Sequence, residues 1–527
     1  LIVSAMAIVS GQAQTGYSPT SKMGTNTVRM KQDIAVVGTA TPSTKTRKTR
    51  EAFLSTLGTK EVGGKTTYDL QTNGSMQRRI IQNGTKISCG WTFSSEAGVT
   101  ATSPFADRGT GYAHFDGTNW TAQPTARLEP TRVGFGGLVV DGSGNENYIS
   151  HDPAANQLAV AKKSGTTWTT STLTTSNANA PIWPHTATSG NWMYIVASPS
   201  DSNIHTNGIR NGYFFSRSND NGNTWIDNMI PMLLVDSVGH YRGGGNSYAI
   251  SANGPYVSVI FGDIGSDITL LTSSDNGANW SKRTVWDWPL DNYNFAGTAP
   301  TDFDNNGIID TLFTPDGAHS VVVDPSGETH VTFSMLRVYK DGTSTSYNYF
   351  PLTSLVAYYN TIGDSVIAVD DIFASVHDCD KNGTVESGDS YTTASGPDAA
   401  YNTLSLVTMP TITIVPGSPQ KVLISYAAIM DNDTTVDDGI HQYWFGSSSL
   451  QGQPYRDILI VGSNDNGGTW TYPVNVSRTA HFEEAFVVAP EIVNGTKLAL
   501  LYQGDIEPGT ILQNDDLYDN DFQNFMI

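Results

Sequence analysis

From residue 78 onward one pattern of hydrophobic and polar positions recurs: an apolar run of strand length, a tight polar turn, and a second apolar run. It occurs as RRIIQNGTKISCGW from Arg78, RVGFGGLVVDGSGNENYIS from Arg132, HTATSGNWMYIVAS from His185, RGGGNSYAISANGPYVSVIF from Arg242, HSVVVDPSGETHVTFS from His319, PTITIVPGSPQKVLISY from Pro410 and PEIVNGTKLALLY from Pro490. Asn-Gly, Ser-Gly and Pro-Gly at the turns are hairpin signals. Each repeat therefore predicts a four-stranded antiparallel sheet that must bury its faces against its neighbours, and a ring of such sheets around a channel meets that need. The expected fold is all-β, a seven-bladed β-propeller of four-stranded antiparallel blades, with six blades as the alternative count. After Tyr502 only one further strand, near 523–527 (QNFMI), remains for the last blade. A strand over 66–70 (TTYDL) is expected to close the ring there, unless the chain runs on past Ile527 into an anchoring or sorting domain.

Three octads stand between strands: 218–225 (SNDNGNTW), 273–280 (SSDNGANW) and 463–470 (SNDNGGTW), with weaker copies at 115–120 (FDGTNW) and 164–168 (SGTTW). In Ser-x-Asp-x-Gly-x-x-Trp the Ser and Asp side chains can bond turn amides, Gly can take a positive φ, and Trp can bury its ring beneath the turn. The octads resemble the Asp-box, or BNR repeat, of the sialidase-like β-propellers. Asp220, Asp275 and Asp465 hold its Asp position, Gly222, Gly277 and Gly467 its Gly, and Trp225, Trp280 and Trp470 close it. The resemblance implies a structural turn remote from the ligand face, and it covers the fold of roughly 75–527. It carries no active-site residue across. Sialidases place the first of three arginines in a Phe/Tyr-Arg-Ile-Pro motif, whereas Arg78 and Arg79 lie in MQRRII without the Pro, and sialidases have six blades.

Two acidic loops have the spacing that wraps oxygen ligands around Ca²⁺. Asp378, Asp380, Asn382, Thr384, Glu386 and Asp389 form the first, and its Asp at the twelfth position resembles dockerin-like loops. Asp302, Asp304, Asn306, the Ile308 carbonyl and Asp310 form the second, whose twelfth position, Phe313, cannot ligate, so Asp316 or water must complete it. The expected cofactor is Ca²⁺, at one or both loops. The insertions that carry them, 302–316 and 358–405, are connections between blades, and 430–455 joins the second and third strands of blade six; all three belong to one face. That face also receives the starts of the inner strands, where Arg132, His185, Arg242 and His319 recur and could form a cationic cluster for a carboxylate or sulfate. Trp286 and Trp288 could stack on sugar faces there.

Composition narrows the function. The chain has 527 residues with a net charge of −21, and charged residues make up only 15%, against 51 Gly and 24 Pro, which excludes a coiled coil or helical bundle. Residues 1–14 (LIVSAMAIVSGQAQ) read as the remnant of a signal peptide, so an exported protein, secreted or attached to the outer cell surface, is expected. Residues 15–65 read as a basic arm. Within it Lys22, Arg29, Lys31, Lys45, Arg47, Lys48, Arg50, Lys60 and Lys65 outnumber Asp33, Glu51 and Glu61, leaving 66–527 as the acidic propeller. Such a body repels nucleic acid, and no segment is long and apolar enough to span a membrane. Cys89 and Cys379 suggest no disulfide framework. Nucleophile elbows, HExxH helices, phosphate loops and dinucleotide fingerprints are absent. The expected function is therefore binding of an extracellular glycan or surface protein by a calcium-stabilised propeller. The alternative is a glycoside hydrolase or polysaccharide lyase acting on an acidic glycan.

Overall fold

The chain is described by a computed structural model that covers residues 62–96, 105–174, 181–371, 405–429, 456–477, 483–505, 510 and 524–527, apart from 201–204, 207, 244, 344, 346 and 472. Seven antiparallel sheets form the ring, and no helix occurs among the described residues. Blade one has three strands, Ile80–Asn83, Lys86–Phe93 and Gly109–Phe115, and a single Phe115–Trp120 bridge stands where its fourth would run. The inner strands of blades two to six are Gly134–Val140, Pro181–Ser189, Tyr248–Asn253, Leu312–Val323 and Val407–Val415, each followed outward by three more. Blade seven runs Glu483–Val488, Leu501–Asp505, Asn524–Met526, and then Gly64–Thr66 as its outermost strand. The ring is thus closed by a strand from the N-terminal side, in register Gly64↔Met526 to Thr66↔Asn524, slightly upstream of the expected 66–70.

Some expected boundaries shift. The inner strand of blade seven lies upstream of the PEIV run, because backbone bonds of Glu491 and Val493 go to Ile414 of blade six instead. Leu312 to Asp316 already belongs to the long inner strand of blade five, and that blade's outer strands extend to Asp371, so the insertion placed at 358–405 begins only after them. Residues 1–61, with the signal remnant and nearly all of the basic arm, lie outside the described residues.

The core is divided among the blade seams. Each seam pairs apolar residues of adjacent sheets: Leu138 and Tyr148 with Ile81 between blades one and two, for instance, and Ile458 with Val487 and Tyr502 between six and seven. Another, Val322, Val356 and Tyr358 against Ile412, Ile424 and Leu459, joins blades five and six. Fully burying one such aliphatic side chain contributes roughly 1.5–3 kcal/mol, so the ring is held by many moderate contacts.

The channel is filled by the chain itself. After Thr66 the backbone leaves blade seven and passes through the ring before becoming blade one, and Gln71, Thr72, Ser75 and Gln77 are completely buried. The Ser75 amide donates to the Asn246 carbonyl (2.9 Å) and its hydroxyl to the Gly317 carbonyl (3.2 Å), tying the segment to blades four and five. Arg79 donates to Gly136 O (3.2 Å) in blade two and to Gln71 Oε1 (2.5 Å), while Gln503 of blade seven donates to Asp69 O (2.8 Å). Gly74 is required for this approach: a Cβ there would stand 3.0–3.1 Å from three carbonyl oxygens of blades four and five.

Bulges in the inner strands adapt the channel wall to this segment. Phe135, Trp183, Met409 and Phe486 have φ of 50–57° at register shifts of blades two, three, six and seven. A bulge breaks the period-two alternation and re-aims a side chain. All four join one apolar cluster with Tyr68, Leu70 and Met76.

Asn246 is the main polar anchor. Its Nδ2 donates to Thr72 Oγ1 (2.5 Å) and Ser75 O (3.2 Å), and its Oδ1 accepts from His185 Nε2 (2.6 Å). Replacing Asn246 by Ala leaves buried groups unpaired at a backbone position with φ of 67°. The expected loss is about 2–4 kcal/mol in a urea unfolding titration, with coincident fluorescence and circular dichroism transitions; a loss well under ~1 kcal/mol would show that the segment is not anchored there.

Candidate functional site: the loop face of the ring

The three octads form one and the same turn. Asp220 Oδ1 accepts from Ser218 Oγ (2.7 Å) and Thr224 N (2.8 Å), and Ser218 Oγ accepts from Gly222 N (2.9 Å). Ser273, Asp275 and Gly277 repeat this, as do Ser463, Asp465 and Gly467, with glycine φ of 75–87°. Trp470 is buried and donates to Gly467 O (3.1 Å), while Trp225 and Trp280 are half-buried. These bonds hold the Asp220 and Asp275 carboxyls well down, at about 2. Amides of Asn221, Asn276 and Asn466 donate to Asn191 O, Pro255 O and Gln420 O in the first turn of the same blade, so the octads occupy the face of the short turns. Every carboxylate oxygen they offer serves the turn itself.

The opposite face receives the connections between blades and the second-to-third strand loops. The four residues expected to form a cationic ring divide there into two pairs. His185 and His319 lie inside the ring, buried, with Nε2 of His319 donating to Gly262 O (2.6 Å) and its amide to Ser75 Oγ (3.0 Å). Burial lowers both imidazole pKa values, that of His185 to about 3, so neither histidine is a cation at neutral pH. Arg132 and Arg242 remain at the rim, half-buried and exposed. Trp286 and Trp288 are 7% and 2% exposed: Trp286 packs in the seam of blades four and five, and Trp288 in a loop cluster with Tyr293, Leu312 and Leu336. Neither indole presents a face to a sugar.

Of the two acidic loops, 378–389 lies outside the described residues. In 302–310, one carboxylate oxygen each of Asp302, Asp304 and Asp310 lies within 4.8 Å of the others. Asp302 accepts from Asn306 N (3.0 Å) and Gly307 N (2.8 Å), and Asp310 from Phe303 N (3.0 Å). Asn306 Nδ2 donates to Asp304, while its Oδ1 accepts from Ile308 N, so Asn306 braces the loop. Asp316 does not complete this loop. Its carboxylate accepts from Ser334 Oγ (2.7 Å), Thr408 Oγ1 (2.8 Å) and Ala318 N (3.0 Å) at the channel bulge of blade five.

The structure adds residues that the sequence reading did not single out. Arg210 ends a small hairpin, His205–Thr206 with Ile209–Arg210, inside blade three, and it forms a parallel bridge with Arg242 at the entry to blade four. Backbones so paired run about 5 Å apart. Both arginines are exposed, and among the described residues neither guanidinium makes a hydrogen bond or ion pair. Further round the ring, Arg108 donates to Val133 O (2.8 Å) and Tyr68 Oη (3.2 Å) and touches His151 Nε2 (3.3 Å), beside Arg132, which donates to Phe105 O (3.0 Å). Burial, with help from both arginines, lowers His151 to about 3. On the blade-four side Asp263 is raised by its burial, with Arg242 pulling the other way and Asp316 adding to the rise. Asp267 is pushed up to about 6 by burial, against one hydrogen bond from Trp288 N (2.9 Å). The loop face thus joins exposed arginine charge to carboxyls that hold protons more tightly than usual.

No protein family matches the chain, and no curated protein does. Among solved structures it is similar to an ulvan lyase of polysaccharide lyase family 25 bound to -[GlcA(1-4)Rha3S]-, at 9% identity over 86% of this chain and 97% of that one, with a TM-score of 0.47. It is also similar to the BP39L lectin from Burkholderia pseudomallei (11% identity, 84% and 98% covered, TM-score 0.42). A third is a Trypanosoma rangeli sialidase mutant displaying trans-sialidase activity (10% identity, 68% and 52% covered, TM-score 0.35). These likenesses are weak, and the functional reading rests on the site itself.

The Asp267 carboxyl gives a pH test. Its folded pKa of about 6 lies above the unfolded value near 3.9, so the protonated acid favours the folded chain below pH ~4, and that contribution is lost as pH rises through about 6. Asp267→Asn should unfold later than the parent at pH 7, by up to about 2 kcal/mol, and converge with it near pH 4; melting curves that differ equally at both pH values would refute the assignment.

Proposed function

We propose that the protein binds an acidic glycan on the loop face of the propeller, through a carboxylate or sulfate seated on Arg210 and Arg242. The observation that carries this reading is the bridge that sets these two exposed arginines side by side, with neither guanidinium in an ion pair among the described residues, on a chain of net charge −21. Like charges directly opposite each other disfavour the fold, and an anion between them removes that cost. Planar guanidinium groups match the paired oxygens of a carboxylate or sulfate. Arg132, two blades away, offers a further cation for a chain-like ligand running along the rim. Ca²⁺ at 302–310 and 378–389 would stiffen the same face, and an exported, extracellular protein suits such a ligand.

A second reading has one observation in its favour. Asp263, whose carboxyl pKa is raised by burial beside Arg242 and Asp316, has the character of a general acid next to a carboxylate-binding cation, as a hydrolase or lyase of acidic glycans would use. Unsaturated products or reducing ends released from an acidic polysaccharide, and abolished by Asp263→Asn, would establish that reading over binding alone.

For binding, Arg210→Ala and Arg242→Ala should each weaken retention of a sulfated or uronic-acid polysaccharide about tenfold at low salt, and the difference should shrink near 0.5 M salt as screening shortens the reach of the charge. Equal binding by parent and double variant in calorimetry would overturn the assignment. For the metal, Asp302→Asn should reduce the rise in melting temperature that Ca²⁺ produces, because a cation that binds only the folded chain stabilises it by mass action; an unchanged rise would remove 302–310 as a site.

A further inference from the structure

The turn face holds a second group of metal-competent side chains, far from the arginines. Asp324 and Glu328 flank the first turn of blade five, and His330 follows on its second strand, Thr329–Tyr339. One oxygen of each carboxylate and Nε2 of the imidazole lie within 4.8 Å of one another, with His330 Nε2 at 3.8 Å from Asp324 Oδ2 and 3.9 Å from Glu328 Oε2. The three side chains are 6%, 5% and 0% exposed.

Their hydrogen bonds leave donor atoms facing inward. Asp324 Oδ1 is used by Ser326 N (2.8 Å), Ser326 Oγ (2.7 Å) and Glu328 N (2.9 Å), which leaves Oδ2 toward His330. Glu328 Oε2 accepts from Asn466 Nδ2 (3.0 Å), whereas Glu328 Oε1 is buried without any hydrogen-bond partner. Among the described residues no Lys or Arg forms an ion pair with either carboxylate. Two buried carboxylates and an orphaned oxygen are costly unless a cation compensates them.

The imidazole is oriented for that role. Gln420 Nε2 lies 3.1 Å from both His330 Nε2 and Asn466 Oδ1, so the amide donates to each, and His330 Nε2 acts as an acceptor. Its proton then sits on Nδ1, directed at Tyr358 Oη (2.8 Å), which Asn360 Nδ2 also approaches (3.0 Å). A second-shell partner on the far nitrogen is the usual means of fixing a ligating histidine. Gln420 and Asn466 belong to blade six, so the group lies at the seam of blades five and six.

We infer that Asp324, Glu328 and His330 bind a divalent cation of the borderline class, Zn²⁺ or Mn²⁺, on blade five at its seam with blade six. An imidazole with two carboxylates suits these ions better than Ca²⁺, which takes oxygen ligands. The side chains are buried, so the ion is structural. This inference is independent of the glycan reading.

The test uses the full chain, treated with chelator and then titrated with Zn²⁺, Mn²⁺ or Ca²⁺ alone, followed by calorimetry and thermal melting. One equivalent of Zn²⁺ or Mn²⁺ should bind and raise the melting temperature. Glu328→Gln and His330→Gln should lose that equivalent and the rise, while Asp302→Asn keeps both. Tyr358→Phe, which removes only the partner of Nδ1, should weaken the affinity roughly tenfold at unchanged stoichiometry. If His330→Gln does not fold, Glu328→Gln, which keeps the shape and the Asn466 contact, decides the matter. Failure of the folded parent to bind either transition metal, or equal affinity in Glu328→Gln, would overturn the inference.

Discussion

The ring depends on the segment that fills its channel. A propeller blade touches only its two neighbours, so seven seams by themselves make a chain of pairwise contacts. Residues 67–79 add what the seams lack. They bond to blades one, two, four, five and seven, and they share an apolar cluster with Trp183 of blade three and Met409 of blade six. Because the same stretch begins at the outermost strand of blade seven and ends in the innermost strand of blade one, it also makes the closing seam continuous with the centre. A buried backbone must have its polar groups paired, and here the walls supply the partners through Asn246, Gly317 and Gly136.

That constraint decides where chemistry can lie. The channel residues that carry titratable groups, His185 and His319, are spent on fixing the wall, and desolvation keeps them neutral. Exposed charge is displaced to the rim, where Arg242 enters blade four and Arg210 approaches it from the extra hairpin of blade three. Carboxyls just below the rim, Asp263 and Asp267, feel burial more than the arginines and are raised. The turn face is organised by a different rule. Its octads are closed locally by their own Ser and Asp oxygens, whereas in the seam of blades five and six the local bonding leaves Glu328 Oε1 over. There Asn466 of the third octad, by reaching Glu328, makes a repeated structural turn part of an unrepeated polar group.

Much of the fold was legible in the sequence because both of its signals are local. Seven hairpins marked by Gly-containing turns count the blades, and the octads fix the outer turns with bonds spanning four residues. The closing strand could be anticipated from the missing fourth strand of blade seven. The candidate site was legible only in part. Arg132 and Arg242 stand at the rim, but His185 and His319 were grouped with them because position along an inner strand does not reveal which side of a bulge a residue falls on. Trp286 and Trp288 looked like sugar platforms because an aromatic pair reads the same whether a second sheet or a ligand covers it.

What the sequence determined by itself was the repeat: the all-β class, the number of blades, the turn chemistry of Ser-x-Asp-x-Gly-x-x-Trp, and the acidic spacing of 302–310. Each rests on residues within about a dozen positions, where chain connectivity alone brings the groups together. Only the tertiary structure decided that residues 67–79 would occupy the channel, that Arg210 would stand beside Arg242, and that Gln420 would meet His330 and Asn466 would meet Glu328. These pairings join residues 32 to more than 240 positions apart, and they follow from ring closure, which brings distant blades to one axis and hides some charges while stranding others.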